Sequence, residues 1–341
     1  MPFAQRLLGW WRQHGRHDLP WQQNRSPYRV WLSEIMLQQT QVSTVIPYFE
    51  RFTAQFPTLP ALAQARDDEV MALWSGLGYY ARARNLLATA RLCLETHDGE
   101  LPSNPEALEA LPGIGRSTAN AIVAQAHDRR AVILDGNVKR VMARHAAIEG
   151  WPGQTAVSRQ LWQAAEQRTP ATLARDYTQA IMDLGATLCR RSQPRCQDCP
   201  VNEDCLGRQR DLLARLPGKR PKKARPTQRT HMLLIRDSQQ RLLMEKRPPS
   251  GIWGGLWCLP MSEQAPADSI PREVLPGVVH QFSHFSLEIR PLLIERSNWP
   301  EFFQGISDDG HNDWISLEQA LARGLPRPVQ RLLESIQPQE T

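Results

Sequence analysis

LPGIGRSTANAIVAQAHDRRAVILDGNVKR, residues 111–140, is the stretch on which the reading of this chain turns. Gly113 and Gly115 flank one apolar residue, Ile114, in a turn that follows one helical pattern and opens another. Beyond the turn, Ala119, Ile122, Val123 and Ala126 recur at i, i+3, i+4 and i+7, and Val138, Val141, Met142 and His145 repeat that spacing, which predicts two amphipathic helices on one core. A turn of this kind presents successive backbone N–H groups at a helix N-terminus, a geometry that attracts phosphate without reading sequence. It is not a dinucleotide fingerprint, because Thr118 stands where the third glycine would be and no strand precedes it. Taken alone, the turn is equally well a plain connection between helices. The apolar run Val132-Ile133-Leu134 then delivers Asp135 to the start of the next helix, where an N-cap is its simplest role.

Upstream, Ser26-Pro27 is an N-cap and first-position pair that opens a helix carrying Tyr28, Val30, Trp31, Ile35 and Met36, with Glu34 on it. The neighbours Trp31, Leu32, Ile35 and Leu37 predict partial burial of Glu34, which raises a carboxyl pKa and suits it to donate a proton; a solvated glutamate is the ordinary alternative. Two acids in unequal environments are what cleavage of a bond to an anomeric carbon requires. One protonates the departing group and the other stabilises the oxocarbenium-like centre.

The helical pattern continues from the start to about Leu216, and the segment LPGKRPKKARPTQRT (216–230) is too rich in proline and cations to hold a regular element. Beyond it the period changes. Residues 231–235 and 241–245 flank a polar turn at 237–240, as in a hairpin; residues 285–294 alternate around Leu287, Ile289 and Leu293; residues 318–322 and 329–336 read as helices. The expected organisation is therefore multi-domain: an all-α domain over 1–216, a basic linker over 217–229, and a smaller α+β domain over 230–341.

A length of 341 residues accommodates about two domains. No apolar run approaches the ~18 residues of a membrane helix, and residues 1–12 lack the apolar core and cleavage site of a secretory signal. A cytoplasmic chain with no membrane partner and no disulfides is expected. The net charge of +6 is carried by the six cations of residues 217–229, so overall basicity argues little for nucleic acid and local clustering must make the case. The eleven tryptophans are more simply core residues than stacking platforms.

Four of the six cysteines, Cys189, Cys196, Cys199 and Cys205, form a C-x6-C-x2-C-x5-C array. Thiolates this close need a cation to hold them, so metal ligation outweighs four buried thiols. The spacing leaves zinc and an iron–sulfur group nearly balanced. Arg190, Arg191 and Arg195 lie between the first two ligands, so a metal there would pin a cationic loop suited to a phosphate backbone. Cys93 and Cys258 are isolated and expected in the core.

Five ordered motifs then carry a resemblance over nearly the whole chain: WLSEIMLQQT (31–40), GLGYYARAR (76–84), the LPGIG turn, LDGNVKR (134–140) and the cysteine array. Together they resemble the MutY family of adenine DNA glycosylases. The resemblance implies a helix-hairpin-helix glycosylase domain with one 4Fe-4S cluster, joined to a Nudix-like domain. It implies removal of adenine mispaired with 8-oxoguanine or guanine from double-stranded DNA, by a chain expected to act as a monomer. Glu34 would protonate the adenine ring, Asp135 would stabilise the cationic sugar, and Asn137 would support Asp135. Gln39, or Gln38, with Thr40 beside them and Tyr79, would wedge into the base stack, filling the gap left by the extruded base. The backbone at Gly113 and Gly115, together with Lys139, would meet phosphate. Related glycosylases that also cut the strand have a lysine two residues after the hairpin's last glycine; here Ser117 stands there and cannot form a Schiff base. A monofunctional enzyme follows, with the role of Ser117 itself open. Arg16 and His17, before Leu19-Pro20-Trp21, would form a basic lip.

In the second domain PPSGIWGGLW (248–257) and QFSHF (281–285) resemble the family's lesion-checking domain, with Phe282, Ser283 and His284 probing the partner base; the alternative is a strand-initiating turn with core aromatics. Residues 262–278 lack the glutamate-rich helix a Nudix hydrolase needs, so binding without hydrolysis is expected. Two other functions stay open at this point: a pyrimidine-lesion glycosylase with lyase activity, and a non-catalytic iron–sulfur DNA sensor.

Overall fold

The computed structural model describes residues 1–221, 225–267, 270, 272–282, 284–298 and 312–337. In chain order the helices are α1 (Phe3–His14), α2 (Pro27–Leu37), α3 (Val42–Gln55), α4 (Leu59–Ala63), α5 (Asp67–Trp74), α6 (Ala81–Thr96), α7 (Pro105–Glu109), α8 (Arg116–His127), α9 (Gly136–His145), α10 (Thr155–Arg168), α11 (Ala174–Asp183) and α12 (Leu206–Gln209). The strands that follow are β1 (Thr227–Arg236), β2 (Leu242–Lys246), β3 (Trp257–Cys258), β4 (Met261–Ser262), β5 (Glu273–Val274), β6 (Val278–Gln281), β7 (Ser286–Glu295) and β8 (Asn312–Ile315), and then come α13 (Leu317–Leu321) and α14 (Arg327–Ser335). Two compact units form, Met1–Gln64 with Asn85–Lys222, and Ala65–Arg84 with Lys223–Thr341.

In the helical unit α2 packs on α8, α8 on α11, and α1 on α11. Leu7, Trp11, Leu134, Met142, Leu161 and Ile181 meet in a shared core. The helix starts follow local chemistry. The Ser26 side chain accepts the Arg29 N–H at the head of α2, with Pro27 in its first turn, and Asp135 accepts the Val138 N–H at the head of α9. Gly113 is required by the fold, because its φ is +75° and a Cβ there would lie 2.8 Å from Asn85 Cβ. Gly115 is different: a Cβ there would meet nothing within 4 Å. Residues 129–135 are irregular, and 131–134 of them are buried in the core. Their buried polar groups are answered from α8, by Asn120 Nδ2 donating to the Val132 carbonyl (2.6 Å) and by Ser117 Oγ accepting the Leu134 N–H (2.9 Å). Cys93 is buried in this unit, and Cys258 is buried in the other.

The second unit is built on a mixed sheet of order β3-β2-β1-β7-β5, with β4 beside β1, β6 beside β7 and β8 beside β2. The hairpin expected across residues 237–240 forms, with Arg236 opposite Leu242. The long central pair β1 and β7 runs parallel, from Thr227 opposite Ser286 to Arg236 opposite Glu295, and buries Leu233, Ile235, Leu292 and Ile294. One expectation changes. The end of the linker is not irregular: residues 227–229 already belong to β1, where Arg229 pairs with Glu288 at 2.8 Å, because a partner strand overrides the polar composition. The stretch 65–84, all helix and connection, falls in the same compact unit as the sheet.

Candidate active site

A cavity of about 200 Å³ in the helical unit is lined by Glu34, Ser117, Asp135 and Asn137, with Arg16 and Gln179 among the other walls. Its size suits one ring system, being below the ~300 Å³ at which drug-sized sites begin. The two carboxylates reach it from different elements, Glu34 from the buried α2 and Asp135 from the end of the irregular run. Burial, followed by the negative charge of Asp135, pushes Glu34 up to about 7, against a hydrogen bond from Gln125 Nε2 (2.8 Å) that favours its anion. Burial also raises Asp135, opposed by the N–H groups of Val138 and Asn137 and by the cations Arg140 and Lys139. Both carboxyl groups are thus shifted upward by burial, Glu34 to near neutrality, and at Asp135 the donors and cations work against that shift.

Asn137 is held by Arg140. One guanidinium nitrogen donates to Asn137 Oδ1 (2.8 Å) and to the Gly185 carbonyl (2.7 Å), while Nε donates to the Cys189 carbonyl (2.7 Å). Gly185 cannot carry a side chain, since its Cβ would lie 2.6 Å from Asn137 Cβ. Of the basic lip, Arg16 is not a free cation: it lines the cavity while bound to buried Asp183 (2.5 Å), which also accepts Trp11 Nε1 (3.0 Å) and Gln179 Nε2 (2.9 Å). His17 lies with Nε2 3.0 Å from the Trp11 carbonyl. The buried acid Asp183 captures the guanidinium, a pairing the local sequence does not show. Sequence reasoning missed Gln179, which lines the cavity, and Gln125, Arg140 and Asp183, which hold the lining residues Glu34, Asn137 and Arg16. A polar residue on an otherwise apolar helical face was the one available signal for Gln125.

Gln38 and Thr40 line the cavity; Gln39 does not, and is exposed with φ +59°. Positive φ is uncommon away from glycine and marks a constrained backbone. Lys139 lies half-buried on the first turn of α9.

The model for the HhH-GPD superfamily of base excision DNA repair proteins matches residues 32–167, and that for the NUDIX domain matches residues 231–335. An adenine DNA glycosylase of Buchnera aphidicola (subsp. Acyrthosiphon pisum) is 36% identical over 343 residues, covering 98% of this chain and 97% of the relative. The human adenine DNA glycosylase is 36% identical over 84% of this chain and 65% of its own length. The chain belongs to the adenine DNA glycosylase family. Among solved structures, a thermostable thymine-DNA glycosylase superposes with a TM-score of 0.56 at 27% identity, over 61% of this chain and 95% of that one. The architecture is thus a helix-hairpin-helix glycosylase domain followed by a Nudix-like domain.

In this family member Cys189, Cys196, Cys199 and Cys205 line one cavity of about 30 Å³ together with Arg144 and His145. Burial and the neighbouring thiols push Cys199 up to about 12, and raise Cys196 and Cys205. Arg144 braces the loop, donating to the carbonyls of Arg190 (2.7 Å), Arg191 (3.1 Å) and Leu216 (3.0 Å). Among the described residues, no three His, Cys, Asp or Glu side chains gather closely enough to hold a single metal ion. Arg190, Arg191 and Arg195 are exposed, with Arg195 paired to Asp198 at 2.7 Å.

In the second unit Tyr79 is 51% exposed with φ +52°. Phe282 and Phe285 bracket a turn between β6 and β7, closed by the Phe282 N–H on the Phe285 carbonyl (2.9 Å), and their rings stack at 4.5 Å. Phe285 is buried, Phe282 also meets Trp253 and His280, and His284 is exposed. Ser283 lies outside the described residues. Among the described residues of 262–278 there is no helix, and no helix of the described chain is long and apolar enough to cross a membrane.

Proposed function

We propose that this chain is a monofunctional adenine DNA N-glycosylase that excises adenine opposite 8-oxoguanine or guanine in double-stranded DNA. The observation that carries the reading is the shared cavity of Glu34 and Asp135, in which burial holds Glu34 near neutrality as an acid while backbone donors and the cations Arg140 and Lys139 oppose the upward shift at Asp135. Neutral Glu34 donates its proton to a ring nitrogen of the extruded adenine. The C1′–N9 bond then breaks, its electron pair leaving with the base, and the Asp135 carboxylate stabilises the positive charge that develops on the sugar. Water supplies the oxygen that ends on C1′. Asn137, fixed by Arg140, keeps the Asp135 turn in register, and Ser117 holds the same run through the Leu134 N–H. By the family resemblance Tyr79 and Gln39, each exposed at positive φ, would fill the space left by the base, and Gln38 and Thr40 line the cavity.

The uncapped start of α8 at Gly115, with Lys139, contacts the DNA backbone, which needs close approach and no side chain at residue 115. Phe282, Ser283 and His284 read the partner base. One chain supplies the whole cavity, so a monomer suffices.

The test is a duplex with a central A:8-oxoguanine pair. Alkali-dependent cleavage at the adenine is expected, more slowly with A:G, and duplexes lacking a mispaired adenine should yield no product. Borohydride should trap no covalent complex, because Ser117 offers no amine; a trapped wild-type complex would revive a lyase mechanism.

The four thiols line one cavity, and the family resemblance favours a 4Fe-4S cluster over zinc there. Cys189, Cys196, Cys199 and Cys205 would hold it, and when bound it would cross-link residues 189–205 rigidly. Cys199→Ser is expected to lose the visible absorbance of the purified protein and to lower its melting temperature by several degrees, as loss of a structural metal group does. A colourless wild-type protein containing zinc would overturn the assignment.

A further inference from the structure

Residues 76–80, Gly-Leu-Gly-Tyr-Tyr, connect α5 to α6 and belong to the compact unit of the C-terminal sheet. Their attachment there is specific. The Tyr80 hydroxyl accepts the Gly76 N–H (3.4 Å) and donates to the Leu325 carbonyl (3.0 Å). Arg84 donates to the Gly254 carbonyl (2.5 Å). At the head of α5, Asp68 accepts from Lys246 Nζ (2.8 Å) and Trp257 Nε1 (3.3 Å). Glycines let the backbones approach: a Cβ on Gly324 would lie 2.9 Å from Met71 Cβ, and one on Gly255 would touch Arg84 Cδ at 3.5 Å. Within the connection, Arg82 donates to the carbonyls of Leu77 (3.4 Å) and Gly78 (3.1 Å) and lies 5.3 Å from the Tyr79 ring.

We propose that Gly254-Gly255-Leu256-Trp257 and Leu325 form a mount for the Tyr79 loop, with Tyr80 and Arg84 as positioning residues that set how firmly Tyr79 enters the base stack. This rests on the reading of Tyr79 as the wedge. The physical need is plain. A side chain driven between bases is pushed back by the stack, and a short loop with positive φ at both Gly78 and Tyr79 would yield unless its ends were anchored. The anchors lie on the domain assigned to the partner base. That domain therefore takes part in opening the duplex as well as in reading the lesion.

The test is a double-mutant cycle on the full-length protein with a duplex carrying 2-aminopurine beside an A:8-oxoguanine pair, read by fluorescence and by single-turnover adenine release. Arg84→Ala is expected to cut both signals about tenfold and Tyr80→Phe about threefold, with Arg84→Lys restoring most of the loss. In a Tyr79→Ala background both substitutions should cost less than about twofold, because their effect runs through Tyr79. The mount is overturned if Arg84→Ala is silent, or if it costs the same factor with and without Tyr79. If Tyr79→Ala itself leaves the 2-aminopurine signal unchanged, the wedge reading falls and the mount with it; the first pattern instead removes the mount and leaves the wedge standing.

Discussion

Glu34→Gln slows adenine release by about a thousandfold, within the 10²–10⁴ that a positioned general acid contributes. The amide keeps the shape of the side chain and a partner for Gln125, so the loss is that of the proton. The pH dependence has a definite sign. Glu34 is pushed up to about 7, so it is protonated below that pH and its anion dominates above; the wild-type rate falls on the alkaline side of neutrality, and the Glu34→Gln variant shows no such limb. Stability follows the same group. An ordinary unfolded carboxyl titrates near 4.5, and the folded one near 7. The stabilisation that comes with protonated Glu34 is complete below about pH 4.5, is lost as pH rises through 7, and amounts to about 3 kcal/mol. Glu34→Gln should therefore stabilise the protein at pH 8 relative to wild type, with little difference at pH 4, as measured by denaturant unfolding. Full activity in the Glu34→Gln variant would remove Glu34 from the chemistry.

Asp135→Asn is the second large effect, about a thousandfold in single-turnover rate, the scale on which a preorganised charge acts at a developing cation. It separates charge from structure. Asparagine caps a helix as well as aspartate does, so the Val138 N–H at the head of α9 keeps its acceptor and the melting temperature should hardly move. Asp135→Ala loses the cap as well and should destabilise by about a further 1 kcal/mol. Removing the negative charge also relieves Glu34, whose pKa falls, so the alkaline limb of any residual activity moves to lower pH. A residual rate whose limb does not move would mean that the two carboxyl groups do not interact.

Much of this was legible in the amino acids because it is local. The caps at Ser26 and Asp135, the apolar spacing of α8 and α9, the β1–β2 hairpin and the clustered cysteines are each decided within a few residues. Periodicity says which face of a helix is buried, and so it foretold that Glu34 would sit among apolar neighbours. It could not say that Gln125 would be the donor facing it, because the two meet only when α2 packs on α8. Arg16 looked like a surface cation for the same reason: its partner, Asp183, lies at the far end of the helical unit's sequence. The linker's last residues read as irregular because their strand partner, β7, is remote in the chain.

By itself, the sequence determined the helical and sheet-forming halves, the hairpin that opens α8, the acid at the head of α9 and the four thiols in one short segment. Only the tertiary structure decided that Glu34 and Asp135 share a cavity, that Arg140 spans from Asn137 to the carbonyl of Cys189, and that residues 65–84 pack with the C-terminal sheet. The reason is that backbone preference and side-chain period act over one or two helical turns, whereas burial of a charged group depends on which distant surfaces exclude water around it.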